Sequence, residues 1–271
     1  MSFPAVSVLM PVRNGGPWVR EAVTSVLAQT ATDLEMVVID NGSTDDTADV
    51  LATFRDPRLR VERRAGAGLT RSLVRALELA RAPLVARLDA DDVALPDRLE
   101  RQRRALDDHR DIGLLGTWAR EIDVTGRELR VVRPPVDDES IRRALIRANP
   151  FVHSSVMMRR TVLDQVGGYD VSFPVAQDYD LWMRLACVTR LANLAEPLVV
   201  RRLTAGRVSV ARDNDRLKAE ARVRWRAVRC HAYPWWCAVF AVRPLIALAL
   251  PLRWRRALRT ATRMEGAPKG V

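Results

Sequence analysis

Three aspartates fall within four positions of "ARLDADDVALPDR" (residues 86–98), directly behind an apolar, strand-like run. Asp89, Asp91 and Asp92 repel one another, at small cost if the segment is only a solvated turn, where aspartate is common. On an extended backbone alternate side chains share a face, so Asp89 and Asp91 converge while Ala90 points away. Two hard oxygen ligands so placed suit Mg2+ or Mn2+, which take one or two carboxylates and leave other positions to water and phosphate oxygens. Asp92 is read either as support for that pair or as a solvated side chain. Spacing alone does not choose between cation site and acidic turn.

The elements that must position these residues are legible from periodicity. "AVSVLMPV" (5–12), "LEMVVID" (34–40) and "APLVARLDA" (82–90) read as buried strands. "PWVREAVTSVLAQT" (17–30) and "LTRSLVRALELA" (69–80) have helical spacing, with Pro17 in the first turn, and "NGSTDDTADVLATF" leads into a helix capped by Ser43 or Thr44. Strand alternating with helix at this spacing predicts a parallel α/β sheet, whose ligands bind beyond the carboxyl ends of the strands. Asn14, Asp40 and the Asp89–Asp91 pair stand there. Further along, 97–109 reads as an exposed helix, 112–123 as strand, 137–149 as a capped helix and 151–160 as another strand. "AQDYDLWMRLACV" (176–188) opens a helix with Asp178 near its start.

At 271 residues, 48% hydrophobic and 28% charged, the chain has globular composition, which excludes wholesale disorder. Its charge is uneven: residues 201–271 hold 17 Lys or Arg against 4 Asp or Glu, a net +13, leaving residues 1–200 at −2 of the chain's +11. A nearly neutral body with a basic tail points to an anionic partner of the tail. Cys187, Cys230 and Cys237 lack metal-ligand spacing and are expected as buried free thiols. The start lacks a signal-peptide pattern, so the main domain is expected in the cytosol.

Taken together, "VSVLMPVRN", "MVVIDNGSTDDT", "GLTRSLVRALELARAPLVARLDADD" and "QDYDLWMRL" resemble, in order and spacing, the inverting family 2 glycosyltransferases of GT-A fold. The likeness covers about residues 5–203 and implies a Rossmann-like, mostly parallel mixed sheet flanked by helices. It divides the chain into a nucleotide-sugar-binding half (1–100), an acceptor-binding and catalytic half (101–205), and a tail (206–271). It also implies a nucleotide-diphosphate sugar donor, with a UDP-sugar favoured, and a glycan or lipid-linked acceptor. Asp40 then accepts hydrogen bonds from the base, the plain alternative being a turn former before Asn41–Gly42. Pro11 and Asn14 shape the first loop beside the nucleotide, although Asn14 could equally be an Asx-turn residue. Asp91 becomes the direct metal ligand, with Asp89 reaching the ribose or a metal-bound water, and Mn2+ or Mg2+ neutralises the diphosphate leaving group.

Asp178 falls where the family places its catalytic base, preceded here by Gln177 instead of the usual Glu. As a helix-terminal acid favoured by the macrodipole it would need no catalytic role; Asp180 is the alternative base. His153, in "NPFVHSS", matches the acceptor-side region, its alternative being a packing histidine. Arg71 and Arg87 either counter phosphate charge or are solvated or ion-paired at the surface. Val74 replaces a frequent family Asn. The QxxRW signature of processive synthases is absent, since "ARVRW" has Ala221 in place of Gln, so single addition is expected.

The tail adds an apolar stretch, 232–252, interrupted by Arg243 and Pro244, with Trp225, Trp235, Trp236 and Trp254 beside arginines. Each half is too short to span a bilayer. The composition suits peripheral attachment to the cytosolic face of an anionic membrane, as an interfacial or re-entrant hairpin; a helix pair packed on the protein's own core and a true span are the alternatives. Two rivals follow: sugar transfer to a polyprenyl phosphate, and a nucleic-acid binder gripping single strands through the arginines and tryptophans. The apolar stretch is unexplained by the second.

Overall fold

The computed structural model describes residues 3–204, 213–230 and 232–249. The chain divides into two compact units, Met1–Arg207 and Val208–Val271.

The first unit is built on β1 (Val6–Val12), β2 (Leu34–Asp40), β3 (Leu59–Arg63) and β4 (Leu84–Arg87), which pair in parallel in the order β3-β2-β1-β4. Every residue of β1, β2 and β4 is buried, as in a sheet covered on both faces. On one face Val6, Val8, Met10 and Val12 pack with Val19, Val23 and Val26 of α1 (Gly16–Leu27). Leu9 and Ile39 point to the other face by the two-residue alternation, and α3 (Leu69–Leu79) packs on β1 and β2. Strand β3 escaped the periodicity reading because "LRVER" is charged and only half-buried at the sheet edge.

Beyond β4 the sheet becomes mixed. Short β5 (Val93–Ala94), α4 (Arg98–Asp108), β6 (Ile112–Ile122), β7 (Glu128–Val132), α5 (Asp138–Leu145), β8 (Met157–Arg159), α6 (Arg160–Val166), α7 (Gln177–Leu185) and β9 (Arg190–Arg202) follow α2 (Thr47–Ala52) and the parallel half. Strand β8 runs antiparallel between β4 and β6, β9 lies parallel to β6 and antiparallel to β5, and β7 pairs antiparallel with β6.

Several expectations are corrected. Residues 151–160 do not form one strand: His153–Ser155 is a 3-10 turn and only Met157–Arg159 pairs. Helix α4 is not a fully exposed helix, since it buries Arg98, Leu99, Gln102 and Leu106. The N-cap of α2 is Asp46, because Ser43 and Thr44 are engaged with Asn14. Helix α5 is capped as expected, Asp137 Oδ1 accepting from Ser140 N–H at 2.9 Å. Cys187 and Cys230 are exposed; Cys237 alone of the three is buried.

The second unit contains α8 (Asp213–Arg229) and α9 (Ala238–Ala249), joined through a 3-10 turn at Trp235–Cys237. Arg243 and Pro244 do not interrupt α9. Proline at position i deprives the carbonyl at i−4 of its helical donor, and that carbonyl, Phe240 O, receives Arg224 Nη1 from α8 at 3.2 Å. Arg224 is itself buried and paired with Glu220 at 3.2 Å. No helix among the described residues is long and apolar enough to cross a membrane. The end of the apolar stretch, with Trp254, lies outside the described residues.

Candidate functional site

In the order β3-β2-β1-β4 the chain crosses from one side of β1 to the other, so a crevice opens at the carboxyl ends of β1 and β4. Pairing of these two strands ends at Leu9↔Arg87. Leu9 O accepts from Leu88 N–H, and by alternation the N–H that Pro11 lacks would face the same, now unpaired, side. Pro11 therefore lets the strands part without orphaning a donor.

Two loops form one wall. Asn14 adopts φ 56°, a left-handed conformation that asparagine tolerates, and is tied to the second loop from both ends. Its N–H donates to Ser43 Oγ and its Oδ1 accepts from Thr44 N–H, each at 2.9 Å. Gly15 and Gly16 N–H donate to Thr47 Oγ1 and Asp45 Oδ2. A Cβ at Gly16 would lie 1.7 Å from Asp46 Oδ1, so any larger residue there would displace the Asp46 carboxylate. Asp40, 1% exposed, accepts Ser43 N–H on Oδ1 at 2.9 Å. Its Oδ2 has no hydrogen-bond partner among the described residues, Arg63 Nε standing 3.5 Å away. A buried carboxylate oxygen without a donor is costly and suits a ligand N–H.

The acidic segment is a turn and not an extended strand, closed by Asp92 N–H on Asp89 O at 3.2 Å. The turn gathers all three aspartates, with one oxygen of each within 4.8 Å of the others. Asp89 is clamped: buried Arg87 donates to Oδ1, and Ser154 Oγ donates to Oδ2 at 2.9 Å while accepting Asp89 N–H at 3.2 Å and Arg87 Nη1 at 3.0 Å. Arg87 is thus a buried partner of the acidic turn and not a surface residue; Arg71 is exposed on α3. Burial would raise the Asp89 carboxyl, but the charge and hydrogen bond of Arg87 hold it far below its ordinary value. Asp92 is not solvated. It is 1% exposed, accepts Arg202 N–H at 2.9 Å, and is pushed up to about 7 by burial and the Asp89 and Asp91 charges. Thr204 Oγ1 donates to Asp91 Oδ2 at 3.2 Å.

The residues present fit a divalent cation. The donors are all carboxylate oxygens, their mutual repulsion is incompletely offset by Arg87, and buried Asp92 Oδ2 has no hydrogen-bond partner among the described residues.

A second wall comes from the 3-10 turn and α7. His153 Nε2 lies 2.9 Å from Tyr169 Oη, and its ring meets Trp182 edge-on at 5.8 Å. Burial, with the Arg87 charge, keeps the imidazole neutral by lowering it well below its ordinary value. Asp178 stands in the first turn of α7, and Asn149 Nδ2 donates to its Oδ2 at 2.7 Å. Burial raises this carboxyl above its ordinary value, against the Tyr179 backbone, Arg87 and Asn149. The residue before the helix, Ala176, has φ 57°, a strained left-handed conformation for a residue with a side chain. Asp180, the alternative base, is instead 1% exposed and ion-paired with Arg184 at 2.8 Å.

Asp89, Tyr169 and Asp178 share one electrostatic neighbourhood: burial raises the Tyr169 hydroxyl, Arg87 opposes, and the Asp178 and Asp89 charges add. Ser154, Tyr169 and Asn149 were not singled out from sequence. Their only signal is proximity to His153 and Asp178 along the chain, and their roles arise from β8 lying beside β4.

Residues 7–167 match the model of glycosyl transferase family 2. An uncharacterized glycosyltransferase of Methanocaldococcus jannaschii is 32% identical over 68% of this chain and 65% of its own length. The Escherichia coli O-antigen biosynthesis glycosyltransferase WbnJ is 30% identical over 72% of this chain and 78% of its own. The chain thus spans just under two thirds of the archaeal relative, and 31% of an uncharacterized Rickettsia felis glycosyltransferase. Among solved structures, Staphylococcus aureus TarS 1-349 with UDP-GlcNAc superposes with a TM-score of 0.65 at 20% identity, covering 80% of this chain and 66% of that one. The Pyrobaculum calidifontis mannosyltransferase PcManGT, in complex with GDP-Man and Mn2+, gives 0.63 at 21%, covering 99% and 82%. The curled, mostly parallel mixed sheet is the GT-A fold of these enzymes, and the chain belongs to glycosyltransferase family 2.

Proposed function

We propose that the protein transfers a sugar from a nucleotide-diphosphate sugar, a UDP-sugar first among them, to a hydroxyl of a cell-surface glycan or glycolipid, with inversion. The observation that carries this is the pairing, across one crevice, of the acidic turn Asp89–Asp92 with Asp178, whose carboxyl is raised by burial. Buried Asp40, whose Oδ2 is ion-paired with Arg63 at 3.5 Å but accepts no hydrogen bond among the described residues, is suited to an N–H of the base, and Pro11 and Asn14 shape the loop beside it. Asp91, assisted by Asp89, would hold Mn2+ or Mg2+, which supplies charge neutralisation of the diphosphate leaving group.

The chain's own residues do the rest. Asn149 and the start of α7 orient Asp178, which takes the proton of the acceptor hydroxyl as its oxygen bonds to the anomeric carbon. The bond from that carbon to the diphosphate breaks, and its electron pair leaves with the nucleoside diphosphate. A carboxyl raised above its ordinary value by burial is a stronger base than a solvated one. His153 and Tyr169 line the acceptor side.

UDP-GlcNAc bound to TarS and GDP-Man bound to PcManGT support a nucleotide-sugar donor and differ in the base; the O-antigen role of WbnJ supports a glycan acceptor. A panel of uridine, thymidine and guanosine diphosphate sugars, scored for metal-dependent thermal stabilisation and slow donor hydrolysis, tests the reading. It is overturned if no nucleotide sugar binds with metal. The basic second unit favours one alternative acceptor, a polyprenyl phosphate, which product analysis distinguishes from a glycosidic extension.

A further inference from the structure

Helix α8 exposes Arg222, Trp225, Arg226 and Arg229, spaced as one helical face. Helix α9 buries Cys237, just before its start, with Ala241 and Pro244, and exposes Val239, Val242, Leu245 and Ile246. Trp235 and Trp236 precede it, 82% and 57% exposed. The apolar positions 235, 239, 242 and 246 follow helical spacing, so they form a continuous edge and not scattered side chains. Such an edge marks an interaction surface.

Charge decides what covers it. No Asp or Glu occurs between Glu220 and Glu265, while ten arginines do. A second copy packing by two-fold symmetry would set this basic segment against itself with no acid to pair. A nucleic acid would satisfy the arginines and leave four exposed aliphatic side chains in water. A bilayer containing anionic lipid satisfies both: its headgroups take the arginines, its acyl boundary takes the aliphatic edge, and tryptophan favours the region between. The twelve described residues of α9 span about 18 Å, against about 30 Å of hydrocarbon, so this described part is suited to lie in the interface.

We infer that the edge Trp235–Trp236–Val239–Val242–Ile246 is a membrane-docking surface for anionic lipid bilayers. This goes beyond the transfer chemistry and does not depend on it.

The test is flotation of the full chain with vesicles of phosphatidylcholine alone or with phosphatidylglycerol. Wild type is expected to float with the anionic vesicles and to bind phosphatidylcholine about tenfold or more weaker. Trp235→Ser combined with Trp236→Ser and Ile246→Ser is expected to cut anionic binding by about tenfold or more, with the thermal melt unchanged because all three positions are exposed. If the triple variant melts early, wild-type tryptophan quenching by brominated lipid in anionic vesicles decides instead. Equal flotation of variant and wild type, or no quenching, overturns the inference. So does a wild-type dimer that the triple variant dissociates without any vesicle binding, or salt-sensitive oligonucleotide binding in place of vesicle binding.

Discussion

Asp91 lies in the acidic turn after β4 and Asp178 in the first turn of α7, and the chemistry proposed for them separates on substitution. Asp91→Ala removes the carboxylate that both Asp89 and Asp92, engaged with Ser154, Arg87 and Arg202, are poorly placed to replace. Metal-dependent donor affinity is expected to vanish in calorimetry; an unchanged metal dependence would show that the cation sits elsewhere. Asp178→Asn keeps the hydrogen-bonding shape and loses the base, so donor affinity should hold while transfer falls by ~10²–10⁴-fold. Near-normal transfer by this variant would refute the assignment. Asp180→Ala provides the contrast. It strips half-buried Arg184 of its ion-pair partner and leaves it the Val166 and Gly168 carbonyls, so it should cost about 2 kcal/mol of stability in a denaturant titration without selectively removing turnover. At this scale the motif-bearing residues were readable because each ends a strand or opens a helix. Ser154 was not, since its clamp on Asp89 exists only once antiparallel β8 lies beside β4, a pairing of residues some 70 positions apart that no local pattern encodes; Arg87, two positions from Asp89, was legible as a charge but not as a buried one.

Elements here are pinned by buried polar groups as much as by apolar packing. Glu35, at the start of β2, accepts from Ser7 Oγ of β1 and from Arg81 N–H ahead of β4, each at 2.7 Å, and so ties together three parallel strands. Burial alone would raise the Glu35 carboxyl; the hydrogen bonds from Ser7 and Arg81 outweigh it and hold the group below its ordinary 4.5. A depressed folded-state value means stabilisation that is fully present above the unfolded value and is lost as the pH falls through the folded one. Glu35→Gln should therefore lower Tm by a constant amount above about pH 5, and the gap to wild type should shrink in melts taken below pH 4.5. A gap independent of pH would show that the ionised carboxylate contributes nothing. The parallel half was legible because buried strands and amphipathic helices alternate there with clear periods. Helix α4 hid its inner face because Arg98 and Gln102 look like surface residues, yet buried Arg98 donates to Arg87 O at 2.9 Å and Gln102 to Leu115 O and Ser155 O. Pro244 read as a break for a similar reason: the donor that replaces its missing bond comes from another helix.

Across the whole molecule, charge is divided between two tasks that respond differently to salt. The carboxylates of the proposed site are partly or wholly buried and hydrogen-bonded, whereas the basic character belongs to residues 201–271, with a net +13. Mobile ions screen exposed charges beyond a Debye length of about 10 Å at 0.1 M and about 3 Å at 1 M, and screen buried pairs much less. Raising NaCl from about 0.05 M to about 0.5 M should therefore release the protein from anionic vesicles almost completely. Metal-dependent donor affinity, set by Asp40 and the acidic turn, should change by less than about threefold over the same range once ionic strength effects on the free nucleotide are subtracted. Parallel calorimetry and flotation on the full chain read the two responses. Loss of donor affinity in step with vesicle release would mean that the basic segment itself contacts the diphosphate, and the separation of donor site from docking surface would have to be abandoned.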